Sequence, residues 1–462
     1  MKKVFLRLAV YVLSLVVFVG GLGLLGLEHT QKEFYESLRE EPVPSLDGIE
    51  VPPHDPAKPT VAVVLADSSI TTEDFDFLIP YTLFSMTEAY NVYAVAPDRG
   101  VKPLSGGLDV VPHYTYAELD ALLGTDPEVI VVPFMPIADE AAYAPTREWI
   151  QQHSHNDNTT FLSICGGSGN LADAGLLQGK SAATHWQAVP GLRMLYPDTT
   201  WVEDVRYVHE GNTLASAGQT AGIDAVLHLI SQQLGEPMAA ALANEISYPN
   251  YEFVANPKVE PFVMDYKFST YVLNTAFRWN KKQMGVLLYD GMEEIALSSI
   301  FDTYADTGTT RVRTVSRTDA PITTKHHLHV VARHTFENAP KLDKMIIPGG
   351  DATVLAQEDI QLWNEKGKAD STLLIHADSP DRYVFEAPLE DLAKQEDLLT
   401  ARHGVKRLEY RSDNIKLEGR ALPLETYAHL LFALALSFFA AFAIDRRFIT
   451  KKPIFKSHQH TW

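Results

Sequence analysis

From Leu8 to Leu27 no position carries a charge, and the run is about as long as a helix needs to be to cross the hydrocarbon core of a bilayer. A second apolar run, Leu430–Ile444, lies near the other end and is apolar on every face, which does not suit a one-sided surface helix. Between them the pattern changes. Short continuous apolar runs alternate with stretches of helical spacing: VAVVLA (61–66), ITTEDFDFLIPYTLFSM (70–86), NVYAVAP (91–97), YAELDALL (116–123), EVIVVPF (128–134), a helix near Thr146–His153, and FLSIC (161–165). Continuous apolar runs of this length read as strands buried on both faces. Their alternation with helices predicts an α/β protein with a doubly wound, mostly parallel, flavodoxin-like sheet. Thr71 is the expected N-cap of the first helix, with Asp74 three residues later.

The pattern then recurs. QMGVLLYDGMEEIALSSIFDTYAD (283–306) echoes TVAVVLADSSITTEDFDFLIPYTLF (60–84). KLDKMIIPGG (341–350) echoes PEVIVVPF (127–134), and STLLIHADS (371–379) echoes TTFLSICGGS (159–168). The same order at similar spacing predicts a second, degenerate copy of the sheet, with His376 where Cys165 stands in the first. The expected organisation is a transmembrane anchor at 1–30, a proline- and charge-rich linker at 31–59, and a first domain at 60–236. A linker and connecting helix at 237–282, the second copy at 283–423, and a transmembrane helix with its tail at 424–462 complete it.

Lys2, Lys3 and Arg7 precede the first apolar run, and Arg446, Arg447, Lys451 and Lys452 follow the second. Both clusters place their terminus in the cytoplasm, so two spans should carry the main domains outside it, in the cell membrane. A cleaved signal peptide is the alternative for the first run, but the run is long and no A-x-A-like site follows. Apolar residues make up 46% of the chain, enough to build cores, and the formal net charge is −20. So acidic a surface repels nucleic acid, which is not expected as a partner. Cys165 is the only cysteine, so no internal disulfide can form. No Cys/His spacing reads as a zinc site. The cluster Lys325–His329 reads better as the solvated start of a strand, and no metal or cofactor is expected.

Cys165 stands at the end of a predicted strand, before Gly166 and Gly167 and a helix-like run. In doubly wound sheets, sites form at such strand ends. A sharp strand-to-helix turn aims its side chain into the cleft, and backbone N–H groups there favour the thiolate. A buried structural cysteine is the alternative reading of the turn.

SICGGSGNLADAGLLQGKSAATHW (163–186) and EGNTLASAGQTAGIDAVLHLI (210–230) resemble the ThiJ/PfpI superfamily, with its class I glutamine amidotransferase-like fold. The resemblance is closest to the branch containing isocyanide hydratases and the amidotransferase-like domains of AraC-type regulators. It implies an acidic partner on the first helix, four residues before a proline, which falls on Asp76 before Pro80, with Asp74 the next choice. It places His185 where some members bring a histidine towards the cysteine, as acid or base. It implies that the N–H groups of Gly166 and Phe134 face a developing oxyanion. Two positions depart from the pattern. Gly166 stands where peptidase-like members carry histidine and hydratase-like members commonly threonine. Phe134 stands where the family usually has glycine, so its ring should crowd the pocket. The expected function is that of a membrane-anchored extracytoplasmic protein with cysteine-dependent hydrolase or hydro-lyase-like activity on a small molecule. The alternative is a non-catalytic ligand-binding or redox-sensing module. Expected partners are a small-molecule ligand or substrate, the membrane, and a second copy or a membrane protein.

Overall fold

Two lobes and two terminal helices make up the computed structural model, which describes residues 2–451. Lys452 of the C-terminal basic cluster, and the rest of the tail expected in the cytoplasm, lie outside the described residues. Helices α1 (Lys2–Leu15) and α2 (Gly21–Tyr35) form one continuous rod through a π-helical turn at Val16–Gly20. The rod continues past residue 30 because its polar end finds partners. Thr30 Oγ1 donates to Thr275 O (3.0 Å), and Glu33 pairs with Lys281 and Arg311. Residues 37–59 hold no helix or strand, but they are pinned to the lobes, with Arg39 Nη1 2.7 Å from Asp109 Oδ2.

The first lobe runs β1 (Thr60–Val64), α3 (Asp74–Met86), β2 (Asn91–Ala96), β3 (Lys102–Pro103), β4 (Asp109–Val111), β5 (Tyr114–Thr115), α4 (Tyr116–Leu123), β6 (Val129–Val132), α5 (Glu140–His153), β7 (Thr160–Ser163) and α6 (Gly167–Asp173). It ends with β8 (Ser181–Ala182), α7 (Val189–Leu195), β9 (Thr200–Trp201), β10 (Tyr207–Glu210), β11 (Thr213–Ser216) and α8 (Thr220–Leu234). Its main sheet has the order β10-β11-β7-β6-β1-β2-β5, parallel except where β10 meets β11. β1, β2 and β6 are buried along their whole length, as their unbroken apolar runs require. One boundary differs from expectation. The first helix starts at Asp74 with Glu73 as its N-cap, not after Thr71. Thr72, the next residue, is held in a strand-like bridge: its N–H donates to Pro103 O (3.1 Å), and Ser105 N–H donates to its O (2.9 Å).

Residues expected to begin a linker instead form α9 (Glu236–Glu245), which buries Ala239, Leu242 and Ala243 against α8. The connecting helix α10 (Tyr266–Phe277) follows. The second lobe then runs β12 (Lys282–Leu287), α11 (Glu294–Tyr304), β13 (Thr310–Ser316), β14 (Ile322–Thr323), β15 (His329–Val331), β16 (His334–Thr335), β17 (Lys344–Ile347), α12 (Ala352–Leu355), α13 (Gln357–Lys366), β18 (Thr372–Leu374), α14 (Glu386–Gln395) and α15 (Leu398–Arg407). Its parallel sheet, β16-β13-β12-β17-β18, has the same order as β5-β2-β1-β6-β7. The lobes are joined by α3 against α11 and by the antiparallel pair β4–β15, with Val110 opposite Val330. One hydrophobic core, with Phe84 and Leu227 from one side and Ile300 and Leu389 from the other, runs through both.

Helix α16 (Leu424–Ile444) lies along the N-terminal rod. Ser14 Oγ donates to Ser437 O (2.7 Å), and Arg7 Nε is 3.0 Å from Asp445 Oδ2. Both helices are long and apolar enough to cross a membrane, by length and composition.

A buried ion cluster fastens the end of α15 to the first lobe. Arg206 Nε is 2.6 Å from Asp224 Oδ2, and Arg206 Nη1 donates to Glu409 O (2.9 Å). Burial, partly offset by Arg206, pushes the Asp224 carboxyl up to about 6 and that of Glu409 up to about 7. Arg206→Ala strands both acids and should cost about 3–5 kcal/mol, seen as a lower Tm of the full chain in detergent. An unchanged Tm would show that the cluster does not fasten the lobes.

Candidate functional site

β7 delivers the chain to Cys165, and the turn into α6 is tight. Cys165 has φ +55°, a left-handed conformation that strains a residue with a side chain. The turn is held by Gly167 N–H to Ile164 O (2.8 Å) and Thr184 Oγ1 to Cys165 O (2.9 Å). Gly167 must lack a side chain, because a Cβ there would lie 2.1 Å from Val132 O. Gly166 is explained by Phe134. A Cβ on Gly166 would come within 2.6 Å of the Phe134 ring, so this ring fills the space a side chain at 166 would occupy. The two departures from the family pattern are therefore one packing arrangement.

Cys165 lies on the wall of a cavity of about 410 Å³ that three parts of the chain enclose. Gln31, Tyr35 and Glu36 come from the end of the N-terminal rod and the residue after it. Glu73, Phe134 and His185 come from the first lobe, and Asp306 and Arg407 from the second. Tyr35 sets its ring edge-on to Phe134, with centroids 6.1 Å apart.

The residues expected around the sulfur are only partly brought to it. Asp76 is buried nearby, but its Oδ2 accepts the Phe134 N–H (3.1 Å) and its Oδ1 has no hydrogen-bond partner. No hydrogen bond joins it to Cys165 among the described residues. The Phe134 N–H is therefore engaged and does not face an oxyanion as expected; the Gly166 N–H does favour the thiolate. His185 is on the cavity wall, yet its Nε2 bonds Arg407 O (3.1 Å), and burial pushes its pKa down to about 3. It is a neutral donor to a carbonyl, not a poised base. Asp74 faces the lobe interface and accepts from Ser105 Oγ (2.9 Å). Burial pushes the Cys165 thiol well above its ordinary value, and the Asp76 and Glu73 carboxyls push the same way.

Sequence reasoning missed Glu73, Asp302, Asp306 and Arg407. Glu73 Oε2 accepts the Asp76 N–H (2.8 Å) as the helix cap; a glutamate directly before two helical acids was the one local signal. Glu73, Asp74 and Asp302 carry carboxyl oxygens within 4.8 Å of one another. Burial first, and mutual repulsion with it, raises Glu73, Asp74 and Asp76, so protons relieve the repulsion. Arg407 neutralises Asp302 (Nη2 to Oδ1, 2.9 Å) and Asp306 (Nε to Oδ2, 3.2 Å). In the second lobe, the Gly349 N–H donates to His376 Nδ1 (2.9 Å), while His376 Nε2 bonds Val384 O (2.9 Å). There the side chain after the strand occupies the glycine donor itself.

Comparison with known proteins finds relatives of this chain. The profile of the DJ-1/PfpI family matches residues 59–232. Isonitrile hydratase of Pseudomonas putida is 30% identical over 183 residues, which cover 38% of this chain and 74% of that protein. The HTH-type transcriptional regulator CdhR of Pseudomonas aeruginosa is 29% identical over 158 residues, 34% of this chain and 45% of the regulator, so the match spans less than half of the regulator. A solved ThiJ/PfpI family protein from Pseudomonas syringae aligns at 23% identity with a TM-score of 0.36, over 46% of this chain and 88% of its own.

Two outcomes follow from the buried acids. Iodoacetamide alkylation of Cys165 should rise only above the ordinary thiol range, and Asp76→Asn, which removes one of the carboxyls that push the thiol up, should move its midpoint down and label about threefold faster at fixed pH. A midpoint at the free-thiol value in both proteins would refute this environment. Secondly, Asp74 is raised in the fold, so above the ordinary carboxyl range the folded chain holds more protons than the unfolded one. Its contribution to stability falls as pH rises through that window. The Tm of Asp74→Asn relative to wild type should therefore increase from pH 5 to 8; a pH-independent difference would contradict proton uptake.

Proposed function

This chain belongs to the DJ-1/PfpI family, and we propose that it is a membrane-anchored member that binds a small molecule at Cys165 without turning it over. One observation carries the reading: the groups a cysteine enzyme would use are engaged elsewhere. The Phe134 N–H is on Asp76 and His185 is on Arg407 O, while the thiol is held protonated by burial. What is left is a cavity of about 410 Å³, a size suited to a small ligand. Similarity to transcriptional regulators over part of their length supports a sensing rather than a turnover role.

A second reading, hydrolase or hydro-lyase chemistry, is favoured by the strained φ of Cys165 and by the Gly166 N–H at the sulfur. The match to isonitrile hydratase over most of that protein's length favours it as well.

The two terminal helices anchor the protein in the membrane in this proposal. Phe5, Leu8, Leu13, Leu24, Phe438 and Phe439 are exposed on their outer faces, a surface that suits lipid. The positive clusters at both ends put the termini in the cytoplasm and the lobes outside. The second lobe is a degenerate copy of the first, with the same strand order but no cysteine, and its role is to close the Cys165 cavity through Asp306 and Arg407.

Purified full chain should not hydrate an aryl isonitrile above the Cys165→Ala background. Small-molecule fragments that raise its Tm should do so in Cys165→Ala as well. Turnover that disappears in Cys165→Ala would overturn the binding reading and establish the second.

A further inference from the structure

We infer that the Cys165 cavity takes an uncharged, amphipathic small molecule drawn from the membrane interface, and that the end of α2 is the wall that selects it. This rests on the membrane-anchored, ligand-binding reading above and names the ligand class of that site.

Height is the first argument. The uncharged run ends at Leu27, and Gln31 on the same helix already lines the cavity. At 1.5 Å per residue Gln31 stands about 6 Å beyond Leu27 along the axis, and Tyr35 about 12 Å. The headgroup layer is roughly 5–8 Å deep on each side of a bilayer, so the cavity begins where that layer ends. A second marker agrees. Gly23 and Gly26 of α2 meet Phe277 and Ala276. Just beyond them, the exposed Trp279 stacks on His429 at the foot of α16, with centroids 4.9 Å apart. Tryptophan in that position is the usual sign of a membrane–water interface.

Wall chemistry is the second argument. Tyr35, Phe134 and Ala188 offer an apolar lining, while Gln31 and Gln187 offer neutral polar groups. Gln187 Nε2 is buried and has no hydrogen-bond partner, a free donor for a carbonyl or hydroxyl oxygen. The one guanidinium on the wall is already taken by Asp302, Asp306 and the Gln219 amide. An anion would therefore lose its hydration beside Glu36, with no free cation on the described wall to meet it. Asp306 is already paired with Arg407, burial pushes Glu73 towards its neutral form, and Glu36 is exposed and keeps its water, so a cation gains little on this wall. A neutral head with an apolar tail fits both sets of groups.

Because Cys165 is the only cysteine, alkylation reports this cavity alone. The test uses the full chain in phosphatidylcholine nanodiscs with iodoacetamide, N-hexyl iodoacetamide and iodoacetate. Each rate is divided by that probe's rate with glutathione. The hexyl probe should label at least about tenfold faster than iodoacetamide, and iodoacetate about tenfold slower, each step equal to about 1.4 kcal/mol. Tyr35→Ala should shrink the hexyl advantage by about threefold, roughly 0.6 kcal/mol on the same scale, while Tyr35→Phe keeps it. A hexyl probe no faster than iodoacetamide, or iodoacetate fastest, overturns the inference but leaves the cavity standing. A hexyl advantage unchanged in Tyr35→Ala shows partitioning alone and overturns the role of α2. A cysteine that no probe reaches overturns both this inference and the binding reading.

Discussion

Arg407 holds the candidate site together. It sits at the end of α15, fully enclosed, beside five buried carboxyls: Glu73, Asp74, Asp76, Asp302 and Asp306. Its guanidinium takes two of them, and its carbonyl oxygen accepts from His185. The Gln219 amide, in its satisfied orientation, bridges the same carbonyl (2.9 Å) and Nη1 (3.0 Å). One residue of the second lobe thus fixes the histidine of the first, neutralises the interface acids and forms part of the cavity wall. Buried charges of this kind persist only when fully paired. The remaining three acids have no such cation, which is why protons, and through them pH, enter the chemistry of Cys165.

The elements were legible because their signals are local. VAVVLA and EVIVVPF are buried strands for the reason their composition suggests, and YAELDALL is closed by a capping box between Thr115 and Glu118. The cysteine turn was legible too, since two glycines after a strand end have few other uses. The start of α3 was not, because the backbone of Thr72 is spent on pairing with Pro103 and Ser105, segments no local pattern connects to it. Nor was the site's second shore. His185 was expected as an acid or base beside the cysteine; it lines the cavity, but its partner lies 222 positions away in the other lobe. Tyr35, Asp306 and Arg407 carry no motif; only the packing of α3 on α11 and of α10 on α2 brings them to Cys165.

The paired departures at 134 and 166 show how packing links a site's substitutions. Separately, a phenylalanine in a glycine position looks like an obstruction, and a glycine after the cysteine looks like a missing catalytic group. Together they conserve volume: the ring of one occupies the place left by the other. The second lobe reaches a comparable end differently. It keeps Gly349, but His376 accepts that glycine's N–H and is itself tied to Val384 O. Both strand ends have their backbone donor or its neighbour occupied from within the chain; the first lines a cavity bounded by the rod, and the second a smaller one of about 200 Å³ away from it.

That cavity makes the segment between the rod and the first strand more than a tether. Asp109 on β4 is gripped from two sides, by Arg39 of that segment and by Arg333 of the second lobe (2.7 Å each). Glu33 on α2 is paired with Lys281 and Arg311, and Gly26 allows α2 to touch the Ala276 carbonyl. These contacts hold the end of α2 and the start of the segment after it against the lobes. The rod, the lobes and the foot of α16 pack on one another, with α10 against both α2 and α16. The far end of the same rod is paired with α16, through Arg7 and Asp445. The wall of the Cys165 cavity and the packing of the two apolar helices thus share one continuous rod, Lys2–Tyr35.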